Sequence, residues 1–247
     1  MSWLLPLDIG LILGLMFAWP VLALTTSFRL LNFPDLTLEG SLPTGAAVFA
    51  VGSMQGWSLP VAMLAAMGAG AGLGAATALI HAYLNVNKFL AGILVVAMSY
   101  TLDLRIMDGP NIGLIGQPTI FDSVARINGA TPQGQLGSLS LLAGMVTVGV
   151  FFLLLVAKSR WGLRLRVAGS NPNYGQAIGL NTKWYLVAGL ALTNALAAGG
   201  GALIAMYQGF TDVGMGQGGL ILALASMTIG ERLVPQRRLS IASYVLL

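Results

Sequence analysis

Cysteine is absent from the 247 residues, and His81 is the single histidine. The lack of cysteine excludes a disulfide framework, a Cys-ligated metal site and thiol chemistry. A Ser-His-Asp triad would depend on His81, and neither a nucleophile-elbow motif nor a His-pair metal motif accompanies it. A Gly-x-x-x-x-Gly-Lys-Ser/Thr loop for ATP is also missing. We therefore expect no catalytic residue, metal or cofactor in this chain, and any energy from nucleotide must come from a partner.

Charged residues are scarce as well. They make up 8% of the chain, against roughly 25% in soluble domains, while hydrophobic residues reach 56%. Uncharged stretches occupy residues 9–28, 40–80, 127–157, 184–211 and 213–230. Since a helix needs about 20 apolar residues to cross a bilayer, the longest stretch must hold more than one crossing. The composition predicts an all-α, polytopic transmembrane bundle forming a single domain over residues 1–247.

The small charge excess is positive. The formal net charge of the chain is +4. The basic residues responsible flank the predicted spans, where we expect them to contact lipid headgroups. No basic stripe with interleaved aromatic residues is present, so we expect no nucleic-acid partner.

About eight spans are expected. They lie near residues 4–26, 41–57, 59–82, 88–107, 138–157, 184–207 and 216–231, and an eighth begins near Leu239. The first is interpreted as a retained helix, because it lacks a basic n-region and a cleavage site and carries Asp8. The nine residues from Leu239 to Leu247 cannot span a bilayer, so we expect the natural protein to complete this helix.

One segment, residues 158–183, fixes the expected orientation. It contains five basic residues and no acidic one: Lys158, Arg160, Arg164, Arg166 and Lys183. Short loops rich in Lys and Arg stay on the cytoplasmic side. Counting spans from this loop places the N-terminus, residues 108–137 and the Asp212 loop outside, and the Lys88 loop inside.

The middle of the basic segment predicts a short amphipathic helix rather than a simple connector. Asn171 is a suitable N-cap, Pro172 suits the first helical position, and Gly179 can end the helix. About eight residues are too few for a stable isolated helix, so contacts with the bundle or with a partner must hold it.

Two stretches are similar to each other, and the orientation places them on opposite faces. They are Asp35–Ser41 and Asp212–Gly218, each followed by an apolar run rich in small residues. An inverted repeat of this kind is typical of transporters, in which interrupted helices line the pathway. Ordinary interfacial turns marked by Asp and Gly explain the pattern equally well.

Polar residues within or beside spans are candidates for a translocation path, because burying them is costly. The candidates are Glu39, Ser99, Tyr100, Thr101, Asn194, Gln208 and Asp212. Capping or cross-linking of helices is the alternative role for each. The spans lack ring-forming charged residues at mid-helix, which argues against a dedicated ion channel.

Small residues recur at helical spacing in the third span. Gly68, Gly72 and Ala76 form one row, and Gly70 with Gly74 forms another. Such rows allow neighbouring backbones to approach closely in lipid. We expect close helix packing there, with a pathway or dimer face as the alternative.

Four separated motifs carry a resemblance to a known family. They are NFPDLTLEGSLPTGAA at residues 32–47, LAGIL at 90–94, LRIMDGPNIGL at 104–114, and VAGSNP at 167–172 continuing to GLN at 179–181. In this order they resemble permease subunits of bacterial ABC importers, in the branched-chain amino acid and ribose permease superfamily. The most similar subgroup contains amino-acid permeases, some linked to tryptophan or tyrosine uptake. The chain departs from the family at Asp108, where glycine is expected.

The resemblance implies a permease homodimer in the bacterial inner membrane, with ATPase subunits docked beneath it and an extracytoplasmic solute-binding protein. It implies that residues 170–181 form the coupling helix. The residues expected to contact the ATPase are Arg164, Arg166, Ser170, Asn171, Pro172, Tyr174, Gln176, Ala177 and Gly179. A passive channel or facilitator is the alternative function, and a membrane-embedded enzyme is the third.

The predicted topology can be tested by thiol labelling, which is clean because no native cysteine is present. A cysteine placed at Ser170 should resist a membrane-impermeant maleimide in intact cells and react once the cells are opened. Reaction from outside intact cells would show that the orientation is inverted.

Overall fold

A computed structural model describes residues 5–121 and 133–233. The helices are α1 (Leu5–Thr25), α2 (Leu38–Met54), α3 (Leu59–Leu84), α4 (Lys88–Met107), α5 (Gln133–Lys158), α6 (Arg160–Ser170), α7 (Pro172–Ala177), α8 (Thr182–Gln208) and α9 (Gly219–Leu233). A π-helical turn, Thr26–Leu30, continues α1, and two short strands are β1 (Asn111–Gly113) and β2 (Phe210–Asp212).

The all-α transmembrane prediction is confirmed. Within the described residues, five helices are long and apolar enough to cross a membrane: Gly10–Leu30, α3, α4, Gly137–Lys158 and α8. The predicted span 88–107 coincides with α4, and α1, α2, α3, α5, α8 and α9 begin and end within five residues of the predicted spans, whereas α6 was not predicted. The predicted eighth span, from Leu239, lies outside the described residues.

The two shorter helices α2 and α9 begin among the long helices of the bundle. Gly40 in the first turn of α2 packs against Val96 and Ser99, at the middle of α4. At the start of α9, Gly216 lies so close to α2 that a Cβ would overlap the carbonyl oxygen of Glu39. The N-termini of α2 and α9 therefore meet within the bundle.

Helix α8 is the most buried of the five long helices, and it packs against α1, α2 and α3. Contact with α3 is made through glycine. A Cβ on Gly70 would overlap the carbonyl oxygen of Asn194, and one on Gly74 would overlap that of Leu190. The small residues thus let the two backbones touch, as expected for helices in lipid.

The other glycine row of α3 does not pack in this chain. Gly68 and Gly72 are exposed, and an added Cβ at either would meet no described atom within 4 Å. The expectation that the Gly68–Gly72–Ala76 row forms close contacts within the bundle is therefore corrected to the Gly70–Gly74 row. Sequence could not choose between the rows because both have the same four-residue spacing.

A small antiparallel sheet joins the loop after α4 to the loop after α8. Asn111 pairs with Asp212, and Gly113 pairs with Phe210. Asp108 ends α4 in the left-handed conformation, with φ at 52°. Aspartate tolerates this conformation better than most residues, so the departure from glycine at this position is compatible with the same turn.

Replacing Gly70 by Leu should lower the thermal unfolding midpoint of the purified protein. The side chain would displace the α8 backbone, and overpacking typically costs about 1–3 kcal/mol. Gly72→Leu is the matched control, since the same side chain points away from α8 two residues along, and it should leave the midpoint nearly unchanged. Equal effects of the two substitutions would contradict the assignment of the packing row.

Candidate functional site

The basic segment folds into two helices rather than one. α6 ends at Ser170, whose hydroxyl donates to the carbonyl of Arg166 within that helix. Helix α7 then spans six residues, and Asn171 caps it by accepting the Tyr174 amide at 3.0 Å. Pro172 occupies the first position, and Gly179 follows the helix with φ at 80°. The predicted caps are confirmed, whereas the assignment of Ser170 to the short helix is corrected.

One side of α7 is held by the bundle. Gly175 is buried against the methyl group of Thr182 and a methyl group of Val167. The Gln176 amide donates to the hydroxyl of Thr182 at 3.4 Å. Gln176 thus makes a contact within the chain that sequence did not anticipate.

The other side of α7 is free. Tyr174 is 56% exposed and Ile178 is 53% exposed, and Ala177 is exposed between them. Beside the helix lies a groove of about 250 Å³, lined in part by Lys88 and Lys183. The segment therefore presents a short, tethered helix with apolar side chains and neighbouring positive charge.

The two arginines predicted to meet a partner differ in their surroundings. Arg164 donates to the phenolic oxygen of Tyr185 at 3.0 Å, so one of its donors is already used within the chain. Arg166 is half-buried.

At the opposite end of α8, the two sequence-related segments meet. Glu39 accepts a hydrogen bond from the amide of Gly218 at 2.7 Å, directly before α9 begins. A carboxylate at a helix N-terminus is stabilised by the unpaired amides there. Asp212 instead accepts from the amide of Gly214 at 2.7 Å and shapes the turn. The side chain of Glu39 thus ties the start of α9 to α2.

A buried polar network holds the start of α2. Asn194 donates to Asp35 at 2.6 Å and accepts from the hydroxyl of Ser41 at 2.7 Å. The hydroxyls of Thr37 and Thr77 lie 2.6 Å apart and link the same segment to α3. All five of these side chains are fully buried. Asn194 is therefore a cross-link between helices in this structure.

A cavity of about 150 Å³ lies where α2, α4 and the turn before α9 converge. It is lined by Glu39, Gly40, Pro43, Val96, Ser99, Tyr100, Asp103, Val213 and Gln217. Three path candidates, Glu39, Ser99 and Tyr100, are brought together here. Thr101 and Gln208 are exposed and do not line this cavity.

Asp103 is the functional candidate that sequence reasoning missed. Asp103 is 0% exposed, and neither of its carboxylate oxygens accepts a hydrogen bond in the part of the chain that the structure describes. Thr44 lies nearby, but its hydroxyl donates to the carbonyl of Gly40 at 2.9 Å. The available signal was an acidic residue inside a predicted span, which is itself a marker of function.

The network around Asn194 gives a stability prediction. Asn194→Ala should lower the thermal unfolding midpoint, because Asp35 and Ser41 lose a buried partner, at about 1–3 kcal/mol for each unsatisfied group. Asn173→Ala, an identical change on the exposed side of α7, is the control and should have little effect. An unchanged midpoint for Asn194→Ala would show that the network does not hold the bundle.

Comparison with known proteins bears on the whole chain. Residues 7–245 match the family described as the permease component of branched-chain amino acid transport systems. A protein of Clostridioides difficile (strain R20291) named as a tyrosine transport system permease is 33% identical over 221 residues, which cover 90% of this chain and 70% of that protein. No solved structure matches the chain.

Two further proteins are similar to this chain. An uncharacterized protein of Rickettsia prowazekii (strain Madrid E) is 33% identical over 213 residues, covering 86% of this chain and 72% of that protein. A nucleoside ABC transporter permease of Lactococcus lactis subsp. cremoris (strain MG1363) is 33% identical over 87 residues, covering 35% of this chain and 27% of that protein.

The family match spans nearly the entire sequence, and it agrees with a bundle that contains five membrane-crossing helices. The resemblance inferred from the four motifs is confirmed. The chain is a multi-pass membrane protein and belongs to the family of permease components of branched-chain amino acid transport systems, within the ABC permeases.

Proposed function

We propose that the chain is the membrane-spanning subunit of an ABC importer in the bacterial inner membrane, and that it transports an amino acid. A separate ATPase supplies the energy, and an extracytoplasmic binding protein delivers the solute. The observation that carries this proposal is α7, a capped helix that the bundle holds on one side and leaves exposed on the other.

Helix α7 is suited to transmit movement between two proteins. Six residues would not stay helical alone in water, so its structure depends on Asn171, Gly175 and the contact with Thr182. Because these contacts fix α7 to α8, a force applied to the exposed side reaches a helix that runs through the centre of the bundle. This is the physical requirement for coupling ATP hydrolysis to transport.

The exposed side of α7 also has the chemistry of a docking surface. Tyr174 and Ile178 offer apolar area beside the groove that contains Lys88 and Lys183. An aromatic anchor surrounded by polar groups is typical of protein interfaces. Acidic side chains of an ATPase would complement the basic groove, and Arg166 together with Arg160 would also contact lipid headgroups.

The relatives support an amino acid as the solute. The matching family is described by branched-chain amino acid transport, and the C. difficile relative, matched over most of its length, is named for tyrosine. The relative named for nucleoside transport matches only about a third of this chain.

A homodimer would complete the path. Large apolar side chains are exposed along α4, including Phe89, Ile93 and Met98. Lipid or a second copy of the chain would cover this face.

Ala177→Asp should uncouple the transporter. A charge in the centre of the docking surface removes apolar contact, and loss of an interface anchor costs about 2 kcal/mol, which weakens association roughly thirtyfold. ATPase co-purification and amino-acid uptake should both fall, while the amount of inserted permease stays the same.

Asn87→Asp provides the matched control. It adds the same charge on the same predicted face, and aspartate can keep the cap that Asn87 makes with the amide of Phe89. Full co-purification and uptake in Ala177→Asp would remove the basis for coupling through α7 and would favour a passive channel.

A further inference from the structure

We propose that Asp103 and its cavity bind the protonated amino group of the transported solute. The inference rests on the proposed import function and specifies where one part of the solute is recognised. It is carried by a buried carboxylate that has no hydrogen-bond partner among the described residues and that lines a cavity beside the starts of α2 and α9.

The cavity lies where three elements of the bundle meet. Its walls come from the first turns of α2, the outer part of α4 and the turn that precedes α9. In the predicted topology α4 runs outward, so Asp103 lies about one turn below its outer end, roughly 6 Å along the axis. Interrupted helices that meet within a bundle commonly form the solute sites of transporters.

The chemistry of the lining favours a cation. Asp103 and Glu39 are the two carboxylates of the described lining, which contains no Lys, Arg or His side chain. Glu39 already accepts from the Gly218 amide, whereas Asp103 accepts no hydrogen bond from any described residue. Arg105 is two positions away on the same helix and is exposed, and residues at that spacing do not face each other.

A buried, ionised carboxylate without a partner is costly, so a cation that reaches Asp103 gains a strong interaction. A primary ammonium group fits the available acceptors better than a metal ion does. It has three N–H donors, and Asp103 is joined in the lining by the oxygen atoms of Ser99 and Tyr100. Within the described residues, no group of three or more His, Cys, Asp or Glu side chains could hold a metal ion.

The size of the cavity limits what can enter. About 150 Å³ is below the roughly 300 Å³ of typical ligand pockets, so it receives a functional group rather than a bulky solute. The remainder of the solute would extend along the half-exposed Tyr100 toward the proposed dimer interface.

The first experiment measures the charge preference of the cavity without reference to transport. Gln217, an exposed residue of the lining, is replaced by Cys in the otherwise cysteine-free chain, reconstituted in nanodiscs. Its reaction rates with 2-aminoethyl and 2-hydroxyethyl methanethiosulfonate are measured by intact mass, and their ratio is normalised to the same ratio for free 2-mercaptoethanol. We expect the ammonium reagent to be favoured about tenfold by the cavity.

The carboxylate responsible is identified by two isosteric substitutions in the Gln217→Cys background. Asp103→Asn should reduce the preference to near unity. Asp108→Asn, which removes an equal charge at the exposed end of the same helix, should retain it. Absence of any cation preference, or its persistence in Asp103→Asn, would overturn the proposal.

The second experiment asks whether transport uses the site. Cells producing the full importer take up an equimolar mixture of radiolabelled amino acids. Asp103→Asn should reduce uptake at least tenfold while the amount of permease and its ATPase co-purification stay unchanged, and Asp108→Asn should stay within twofold of wild type. Uptake unaffected by Asp103→Asn would overturn the assignment of the amino group to this cavity.

The two experiments separate this inference from the proposed function. A wild-type chain that imports amino acids and is uncoupled by Ala177→Asp, but shows no cation preference at residue 217, retains the importer and loses the amino-group site. A chain without ATPase association that still shows an Asp103-dependent preference retains the cation site and loses the importer.

Discussion

The bundle depends on satisfying polar groups at the starts of α2 and α9, which lie among the long apolar helices. Lipid offers no hydrogen bonds, so irregular backbone at depth persists only where protein side chains supply them. Asn194 supplies bonds at the start of α2, where it joins Asp35 and Ser41, and Glu39 supplies one at the start of α9 through the Gly218 amide.

The same arrangement connects the two ends of the proposed transport cycle. Helix α8 is contacted by α7 near its start through Thr182, and at its middle by the interrupted helix α2 through Asn194. Its backbone also lies in close contact with α3 at Gly70 and Gly74. A displacement of α7 by an ATPase would therefore move the frame on which the Glu39 junction and the Asp103 cavity are built.

Much of the fold was predictable because membrane helices have a strong local signal. The lengths of the apolar stretches predicted the limits of α3, α4 and α8 to within a few residues. The capping residues Asn171, Pro172 and Gly179 identified the short helix α7. The similarity of residues 35–41 and 212–218 was explained equally well by an inverted repeat and by ordinary interfacial turns. Their inverted-repeat relationship stays a prediction, although the structure places the two segments in contact at Glu39 and Gly218.

Sequence by itself determined the membrane class, the approximate spans, the predicted orientation from Lys and Arg, and the family motifs. All of these follow from composition or from residues close along the chain. Tertiary structure decided which glycine row of α3 packs, that Asn194 reaches Asp35, and that Asp103, without a partner among the described residues, lines the same cavity as Glu39. The physical reason is that periodicity shows which residues share a helix face, whereas only the packed bundle determines what that face meets.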